Sequence, residues 1–257
     1  MTSLAPLSPS RLDSLIFLNV FLDRYKRKIN IIDVGCGKMF FYKLLVEKNI
    51  KGSYFGLDIN NPPKIGSTVR LKVRLQKKDV LKVKTNVKYD LVVCLWVLEH
   101  IKKDLEAFNK LVEFTKENGI LIVALPSIWS WPFEFGKHGY HYYSKKHFEK
   151  KINDSDLKII RSYESGGLIG FLYMIFYNWP RYLILTFSIP IFLFTKLIVS
   201  KEVTWSSFSV KLIENTWYLY IKSPALVKLQ NFIVAGIVKI DNKLKILPAS
   251  YIYILNK

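Results

Sequence analysis

The stretch Ile31-Ile32-Asp33-Val34-Gly35-Cys36-Gly37-Lys38 decides how the rest of the chain is interpreted. A short β-branched run ends in Gly-x-Gly, and apolar residues with helical spacing follow from Phe41 to Val46. Glycines permit a sharp turn and let a ligand approach the backbone closely. The order of strand, glycine turn and helix is typical of a βα unit that binds a nucleotide.

Acidic residues follow the next two predicted elements. Ser53–Leu57 is a predicted strand that ends at Asp58, and Asp79 comes after the alternating run Leu71–Leu75. A carboxylate at the tip of the second strand can accept hydrogen bonds from both hydroxyls of a ribose. Asp79 lies where the next loop can present it to an adenine amino group. The alternatives are a solvated aspartate in a loop for Asp58 and a simple turn residue for Asp79.

The rest of this region alternates between strand and helix. Tyr89–His100 is a predicted buried strand that runs into a loop, Lys102–Thr115 has helical periodicity, and Ile120–Leu125 is another buried strand. Asn118-Gly119 is predicted to end the helix. Strands that alternate with helices indicate a parallel sheet with both faces covered. Ahead of this unit, Ser10–Lys28 is predicted to be an amphipathic helix rather than a signal peptide.

Taken as a set over residues 29–165, these motifs resemble the class I S-adenosylmethionine-dependent methyltransferases. The matching pieces are the Asp-Val-Gly-Cys-Gly turn, Asp58, Asp79-Val80, Tyr89–Ile101 and Asn118–Val123. The resemblance implies an α/β fold with a Rossmann-like, doubly wound, seven-stranded sheet whose last strand is antiparallel. It also implies S-adenosyl-L-methionine as the cofactor. The chain departs from the family at Met39, where a third glycine is usual, and a side chain there is expected to crowd the turn.

The resemblance also implies which residues form the donor site. Gly35 and Gly37 would border the methionine part, Asp58 would hold the ribose, and Asp79 would contact the adenine. The complete predicted set is Asp33, Gly35, Cys36, Gly37, Asp58, Ile59, Asp79, Val80, Leu95 and Trp96. Because a sulfonium methyl group is already a strong electrophile, the main tasks of such a site are to align the nucleophile and exclude water.

A hydroxyl nucleophile would also need a general base, and the candidates are histidines. The predicted catalytic residues are His138 and His141, after the fifth strand, and His100 at the mouth of the donor site. The alternatives are a structural or cofactor-facing role for His100, and capping or loop packing for the other two. Ser144 is predicted to cap the helix that begins at Lys145. No metal site is predicted, because the two neighbouring histidines have no further ligand at a suitable spacing.

The last third of the chain contains a long apolar insertion. The predicted domains are an N-terminal helical segment (1–28), the cofactor-binding core (29–165), the insertion (166–248) and a final core strand (249–257). Gly166–Ser200 carries only two charged residues, Arg181 and Lys196. Pro180 and Pro190 are expected to divide it into two short helices that lie in a membrane interface. The alternatives are a single, strained membrane span and a buried helical cap or homodimer interface.

The charge balance gives information about partners. The chain has 39 basic and 20 acidic residues, a net charge of +19, which favours an anionic membrane surface. A lysine-rich surface that is merely solvated explains the charge equally well. Nucleic acid is disfavoured, because the loop after the fourth strand lacks the Asn/Asp-Pro-Pro-aromatic motif and neither cysteine has a Pro-Cys context. Leu226–Ile240, edged by lysines, is predicted to form a further surface helix.

The hypothesis that results is a methyltransferase acting on a lipid or lipid-linked small molecule. It would be cytoplasmic, and peripheral or monotopic at the inner face of the cytoplasmic membrane. One alternative is a soluble small-molecule methyltransferase that forms a homodimer through residues 166–200. A second alternative, from another functional class, is a non-catalytic protein of the same fold that binds a membrane or a partner.

Overall fold

A computed structural model describes residues 8–25, 27–63, 65–84, 86–133, 140–198 and 223–257. Within these ranges only the backbone is described at 132–133, 177–182, 184–185, 195 and 197–198. The strands are β1 (Ile29–Val34), β2 (Gly52–Asp58), β3 (Leu71–Lys77), β4 (Tyr89–Leu95), β5 (Thr115–Pro126), β6 (Lys158–Ser165) and β7 (Ser250–Asn256).

Six α-helices and three short 3-10 turns complete the described structure. The helices are α1 (Pro9–Leu22), α2 (Phe40–Glu47), α3 (Asp104–Phe114), α4 (Lys145–Asn153), α5 (Leu168–Ile198) and α6 (Pro224–Leu244). The 3-10 turns are Val80–Lys82, Leu98–His100 and Ile128–Phe133.

The seven strands form one sheet in the order β3-β2-β1-β4-β5-β7-β6. The strands β1 to β5 are parallel, and β7 is antiparallel to both of its neighbours. The predicted seven-stranded fold with an antiparallel last strand is therefore confirmed. The strand order reverses between β1 and β4. In open α/β sheets, ligands bind in the crevice at the carboxyl ends of the strands at such a point.

The two faces of the sheet carry separate apolar cores. Val92 and Cys94 of β4 pack in the core under α3 and α4, whereas Leu91 and Val93 pack in the core under α1 and α2. This alternation follows from the two-residue period of a strand. All four side chains are fully buried. The central strands are thus covered on both faces, as their continuous apolar sequence predicts.

Two predicted boundaries are wrong. The helix α1 ends at Leu22 instead of Lys28, and β5 begins at Thr115, directly after α3. Asn118-Gly119 therefore lies within the strand, where the register between β4 and β5 shifts, and Asn118 has a φ of 59°. The sequence signal was ambiguous because a bulge needs the same positive-φ residues as a helix end.

The insertion begins with a single long helix. Pro180 and Pro190 were expected to divide this segment, but α5 runs unbroken through 31 residues, about 46 Å. A proline removes one backbone donor, while its fixed φ remains compatible with a helix. The helix α5 packs against α6, and α6 packs against α1. Among the described residues, no helix combines the length and the apolar character needed to cross a membrane.

A buried carboxylate joins the two insertion helices. Asp241 of α6 is 2% exposed, and its two oxygens accept hydrogen bonds from Ile169 N and Gly170 N, each at 2.8 Å. These amides belong to the first turn of α5, which has no intrahelical acceptor for them. A Cβ on Gly167 would lie 2.7 Å from the Asp241 carboxyl group. The carboxylate therefore caps α5 at a point of close approach.

A second buried carboxylate ties the insertion to the core. Asp13 of α1 accepts hydrogen bonds from Tyr163 Oη at 2.6 Å, Asn242 Nδ2 at 3.0 Å and Gly166 N at 3.1 Å. These donors belong to β6, to α6 and to the segment that leads into α5. The three contacts satisfy a carboxylate that is only 1% exposed. They fix the base of the insertion relative to the sheet.

The insertion leaves and re-enters the sheet at one place. Ser165 and Ser250 are partners in the β6–β7 ladder, and their hydroxyl oxygens are 2.6 Å apart. Ala249 N donates to Ser165 O at 3.0 Å. The two ends of the insertion are thus held side by side.

Candidate active site

The glycine turn follows β1 at the carboxyl edge of the sheet. Gly35 and Gly37 have φ values of 76° and 45°, which favour glycine. Gly35 N and Cys36 N both donate to Leu57 O, at 2.7 and 3.1 Å, and so tie the turn to β2. A Cβ on Gly35 would lie 2.1 Å from Val97 Cγ2, whereas the nearest atom to a Cβ on Gly37 is 3.9 Å away. Gly35 is therefore tightly packed, and Gly37 faces open space.

The predicted ribose-binding carboxylate lies against this turn. Asp58 ends β2, and its Oδ2 accepts a hydrogen bond from Gly37 N at 2.9 Å. Its Oδ1 accepts from Asn60 N at 2.8 Å. A carboxylate has about four acceptor positions, so both oxygens retain capacity for ribose hydroxyls. Ile59, the next residue of the predicted set, is 66% exposed.

Two side chains of the turn point away from the site. The Cys36 side chain is buried, so only the backbone of this residue faces the turn. The burial also raises the pKa of the Cys36 thiol to about 12. Met39 is fully buried, with its sulfur 3.9 Å from Tyr54 Oη. The Met39 side chain thus packs in the core beside Tyr54, and the effect of Met39 on the turn stays a prediction. Met39 has a φ of 62°, a left-handed conformation that costs a non-glycine residue about 1–2 kcal/mol.

Asp33 lies beneath the turn. Its side chain is 3% exposed, and Tyr54 Oη donates to Oδ2 at 2.6 Å. Burial raises the pKa of Asp33 to about 7, although the hydrogen bond from Tyr54 opposes this shift. Asp33, two residues before the first glycine of the turn, thus forms a buried hydrogen-bonded pair with Tyr54.

The predicted adenine side has one buried and one partly exposed residue. Asp79 Oδ1 accepts a hydrogen bond from Leu81 N at 3.0 Å and caps the 3-10 turn that begins at Val80. Asp79 is therefore a turn residue, which was one of the two roles considered for it. Its Oδ2 makes no hydrogen bond within the described part of the chain, so it remains available to a ligand amino group. Val80 is 5% exposed and packs in the core.

Trp96, directly after β4, and Phe40 form a ring pair that we call the aromatic wall. Leu95 and Trp96 are half-buried, and Trp96 has a φ of 56°. The Trp96 ring meets Phe40 edge-on at 6.2 Å between centroids, and the Arg11 guanidinium lies 5.7 Å from the Phe40 ring. Phe40 and Arg11 were not predicted as site residues. Arg11 belongs to α1, and no motif connects that helix to the turn.

The structure places two of the three candidate histidines. His100 is exposed at the end of a 3-10 turn, with Nε2 3.9 Å from Glu99 Oε1, and partial burial lowers its pKa. His138 lies outside the described residues. The predicted cap of α4 is confirmed, because Ser144 Oγ accepts a hydrogen bond from His147 N at 3.3 Å.

His141 lies beside the turn that follows β4. Tyr140 N and His141 N donate to Glu99 O at 2.7 and 3.3 Å. These bonds dock the His141 segment onto the residues directly after the aromatic wall. His141 Nε2 lies 3.2 Å from Lys102 O and 3.8 Å from Asp104 Oδ1. The same side chain lines a cavity of about 300 Å³ between α3, α4 and the Ile128 turn.

Comparison with known proteins agrees with this geometry. A model of the family described as Methyltransferase domain matches residues 11–162. The ubiquinone biosynthesis O-methyltransferase of Rickettsia canadensis (strain McKiel) is 27% identical over 100 residues. That match covers 38% of this chain and 42% of the relative, so it spans less than half of the relative's length.

Two solved structures show the same fold. A SAM-dependent methyltransferase from Archaeoglobus fulgidus matches with a TM-score of 0.50 and 17% identity, over 95% of this chain and 94% of the other. The [4+2]-cyclase SpnF matches with a TM-score of 0.54 and 12% identity, over 96% of this chain and 81% of that one. At such identities the likeness concerns the fold, and one fold can host different reactions. The family match covers more than half of the chain, and the chain therefore belongs to the methyltransferase-domain family of class I S-adenosylmethionine-dependent enzymes, whose cofactor is S-adenosylmethionine.

Proposed function

We propose that this chain methylates a lipid or lipid-linked small molecule at an anionic membrane surface. The observation that carries the membrane part is the exposed apolar surface of α5 and α6. The observation that supports the donor part is the glycine turn, which is open at Gly37 and bordered by the Asp58 carboxylate.

The donor site fits S-adenosylmethionine, which supplies an electrophilic methyl group when bound. The open side of Gly37 would accept the methionine part, because no side chain fills that space. Asp58 would orient the ribose through its remaining lone pairs, and Asp79 Oδ2 would accept from the adenine amino group. Val97, packed under Gly35, holds the turn in place. These residues bind and orient the donor, and Trp96 would help to exclude water.

The helix α5 carries an exposed apolar stripe. Its members are Leu172, Phe176, Leu183, Phe187 and Phe194. Their spacing of 4, 7, 4 and 7 residues places them on one face of the helix. Phe176 and Phe187 are 76% and 74% exposed. Monomeric soluble proteins rarely expose so many large apolar side chains along one helix face without a partner.

The adjacent helix α6 repeats this pattern and adds positive charge. Its exposed apolar residues are Leu226, Leu229, Phe232, Ile233, Ile240 and Leu244. Lys228, Lys239 and Lys243 are exposed, and their mean direction lies about 100° around the helix from that of these apolar residues. The face opposite the lysines is buried through Val227 and Val234. An apolar stripe flanked by lysines is typical of a helix that lies in the plane of an anionic interface.

The reacting group of the acceptor is proposed to be a hydroxyl. The relative from Rickettsia canadensis is by name an O-methyltransferase of ubiquinone biosynthesis, which supports an oxygen acceptor and an amphiphile of the quinone type. A hydroxyl needs a base, and His141 and His100 lie next to the aromatic wall. His138 remains a candidate from its sequence position alone.

A homodimer formed through the same apolar faces is the second candidate assembly. It would cover α5 and α6 with a second copy, and the enzyme would then act on a water-soluble acceptor. An assay of binding to lipid vesicles distinguishes the membrane-bound enzyme from the homodimer. The full chain should sediment with anionic vesicles, with an apolar component that resists salt. A lysine component of about 1 kcal/mol per residue near the surface should weaken as salt rises.

Variants identify the surface responsible. Phe176→Ser/Phe187→Ser/Phe194→Ser should leave the protein in the supernatant. The matched control, Val69→Ser/Leu105→Ser, changes exposed apolar residues elsewhere and should sediment like the wild type. A wild-type chain that stays in the supernatant as a dimer would contradict the membrane proposal. Incubation with isotope-labelled S-adenosylmethionine and a lipid extract, followed by mass spectrometry, tests the methylation itself.

A further inference from the structure

The ring of His141 has a defined hydrogen-bonding side. Nε2 lies 3.2 Å from Lys102 O, and a carbonyl oxygen can only accept a hydrogen bond. A neutral ring in this orientation makes that hydrogen bond only when Nε2 carries the proton and donates it. Asp104 Oδ1 lies 3.8 Å from the same nitrogen, so a carboxylate also faces this side. Both acceptors favour the proton on Nε2 over Nδ1.

Asp104 is itself held in place. Its Oδ2 accepts hydrogen bonds from Lys151 Nζ at 3.0 Å and Tyr143 Oη at 3.1 Å. Burial opposes ionisation, but the hydrogen bond and charge of Lys151 lower the pKa of Asp104. The carboxylate therefore remains charged and fixed on the first turn of α3, facing the His141 ring.

The other ring nitrogen is left for chemistry. When Nε2 is protonated, Nδ1 of the neutral ring carries a lone pair. Nδ1 makes no hydrogen bond within the described part of the chain. His141 lines the 300 Å³ cavity together with Ile128 and Phe148. The 3-10 turn that contains Ile128 contacts α5, so this cavity adjoins the insertion that is proposed to meet the membrane.

We infer that Asp104 is the positioning residue that holds His141 in the Nε2-protonated form, so that Nδ1 acts as the base for an acceptor hydroxyl. This inference rests on the proposed function. Nδ1 takes the hydroxyl proton while the oxygen forms a bond to the methyl carbon. The carbon–sulfur bond breaks, and its electron pair remains on the sulfur. The products are a methyl ether, a neutral thioether and a protonated His141.

Nitrogen NMR of the full-length protein tests the tautomer directly. The chain has four histidines, and His141→Gln identifies the signals of His141. The spectra are recorded at alkaline pH, so that the tautomers of the neutral ring are compared. The wild type should show His141 protonated at Nε2. Asp104→Asn should lower the Nε2-protonated fraction, whereas Glu106→Gln, an exposed carboxylate on the same helix, should leave it unchanged.

Two further measurements separate this inference from the proposed function. Calorimetry with S-adenosylhomocysteine should give the same affinity for wild type, His141→Gln and Asp104→Asn. Labelled methyl incorporation into a lipid extract should fall about 10²–10⁴-fold in His141→Gln. It should fall about 10–100-fold in Asp104→Asn, as for other residues that orient a functional histidine.

The outcomes are distinguishable. Intact cofactor binding with His141 protonated at Nδ1, or with a tautomer that Asp104→Asn does not change, would overturn the inference alone. Full methyl incorporation by both variants would also overturn it. Failure of the wild type to bind S-adenosylhomocysteine would refute the proposed function, and the inference with it.

Discussion

Asp241 offers the sharpest test of how the insertion is held. Asp241→Asn keeps the size of the side chain but replaces one carboxylate oxygen with an amide that can only donate. Ile169 N or Gly170 N, each bonded at 2.8 Å, would then face a second donor. A hydrogen bond to a charged group contributes about 1.5–3 kcal/mol, and the charge at a helix N-terminus adds up to about 2 kcal/mol.

We therefore expect Asp241→Asn to lower the free energy of unfolding by about 2–4 kcal/mol. For a chain of this size the melting temperature should fall by about 4–16 °C. Hydrogen exchange should quicken at the amides of Ile169 and Gly170. The matched control is Asp23→Asn, which removes a 60% exposed carboxylate paired with Lys48 and should change stability by less than about 1 kcal/mol. Equal melting temperatures for wild type and Asp241→Asn would refute this account of the cap.

Three further predictions concern the donor site. Gly35→Ala should lower the melting temperature strongly, because the new Cβ would lie 2.1 Å from a Val97 methyl group, whereas Gly37→Ala should cost only about 1–2 kcal/mol of backbone strain. Both variants should weaken binding of S-adenosylhomocysteine in calorimetry, the second because its Cβ enters the space proposed for the methionine part, and equal melting temperatures for the two would contradict this packing. Asp58→Ala should weaken the same affinity by about 1.5–3 kcal/mol, and an unchanged affinity would remove Asp58 from the site. The folded pKa of Asp33, about 7, exceeds the unfolded value of about 3.9, so the folded state binds an extra proton between them and the wild type should lose stability as the pH rises through that window. Asp33→Asn should lose less over the same range in denaturant titrations, and parallel pH profiles would disprove this role.

The parts of the fold that sequence predicted are those encoded locally. Three such features are the glycine turn, Asp58 after β2 and the buried apolar run of β4. Each is a short sequence pattern that is typical of only one kind of structural element. The cap of α4 is similarly local, because Ser144 bonds an amide three residues away. The order of such patterns was enough to predict the sheet.

The features that sequence did not predict depend on contacts between distant residues. Val97 fills the space under Gly35, 62 positions earlier, and Asp241 caps an amide 72 positions away. The direction of the Met39 side chain depends on the space beside Tyr54, which no local pattern reveals. The helix α5 continues past its prolines and packs against α6, and tertiary packing routinely overrides local preference.

The pairing of Ser165 with Ser250 has an evolutionary consequence. The 84 residues between them, 166 to 249, connect two points that neighbouring strands hold about 5 Å apart. A segment whose ends approach this closely, and which still packs on α1 and satisfies Asp13, can replace them, and doubling its length costs only about 0.6 kcal/mol in closure entropy. The predicted donor residues all precede this junction, from Asp33 to Trp96. Exchange of this segment in evolution would therefore alter the surface and acceptor that we propose for the insertion, while the predicted cofactor-binding residues stay in place.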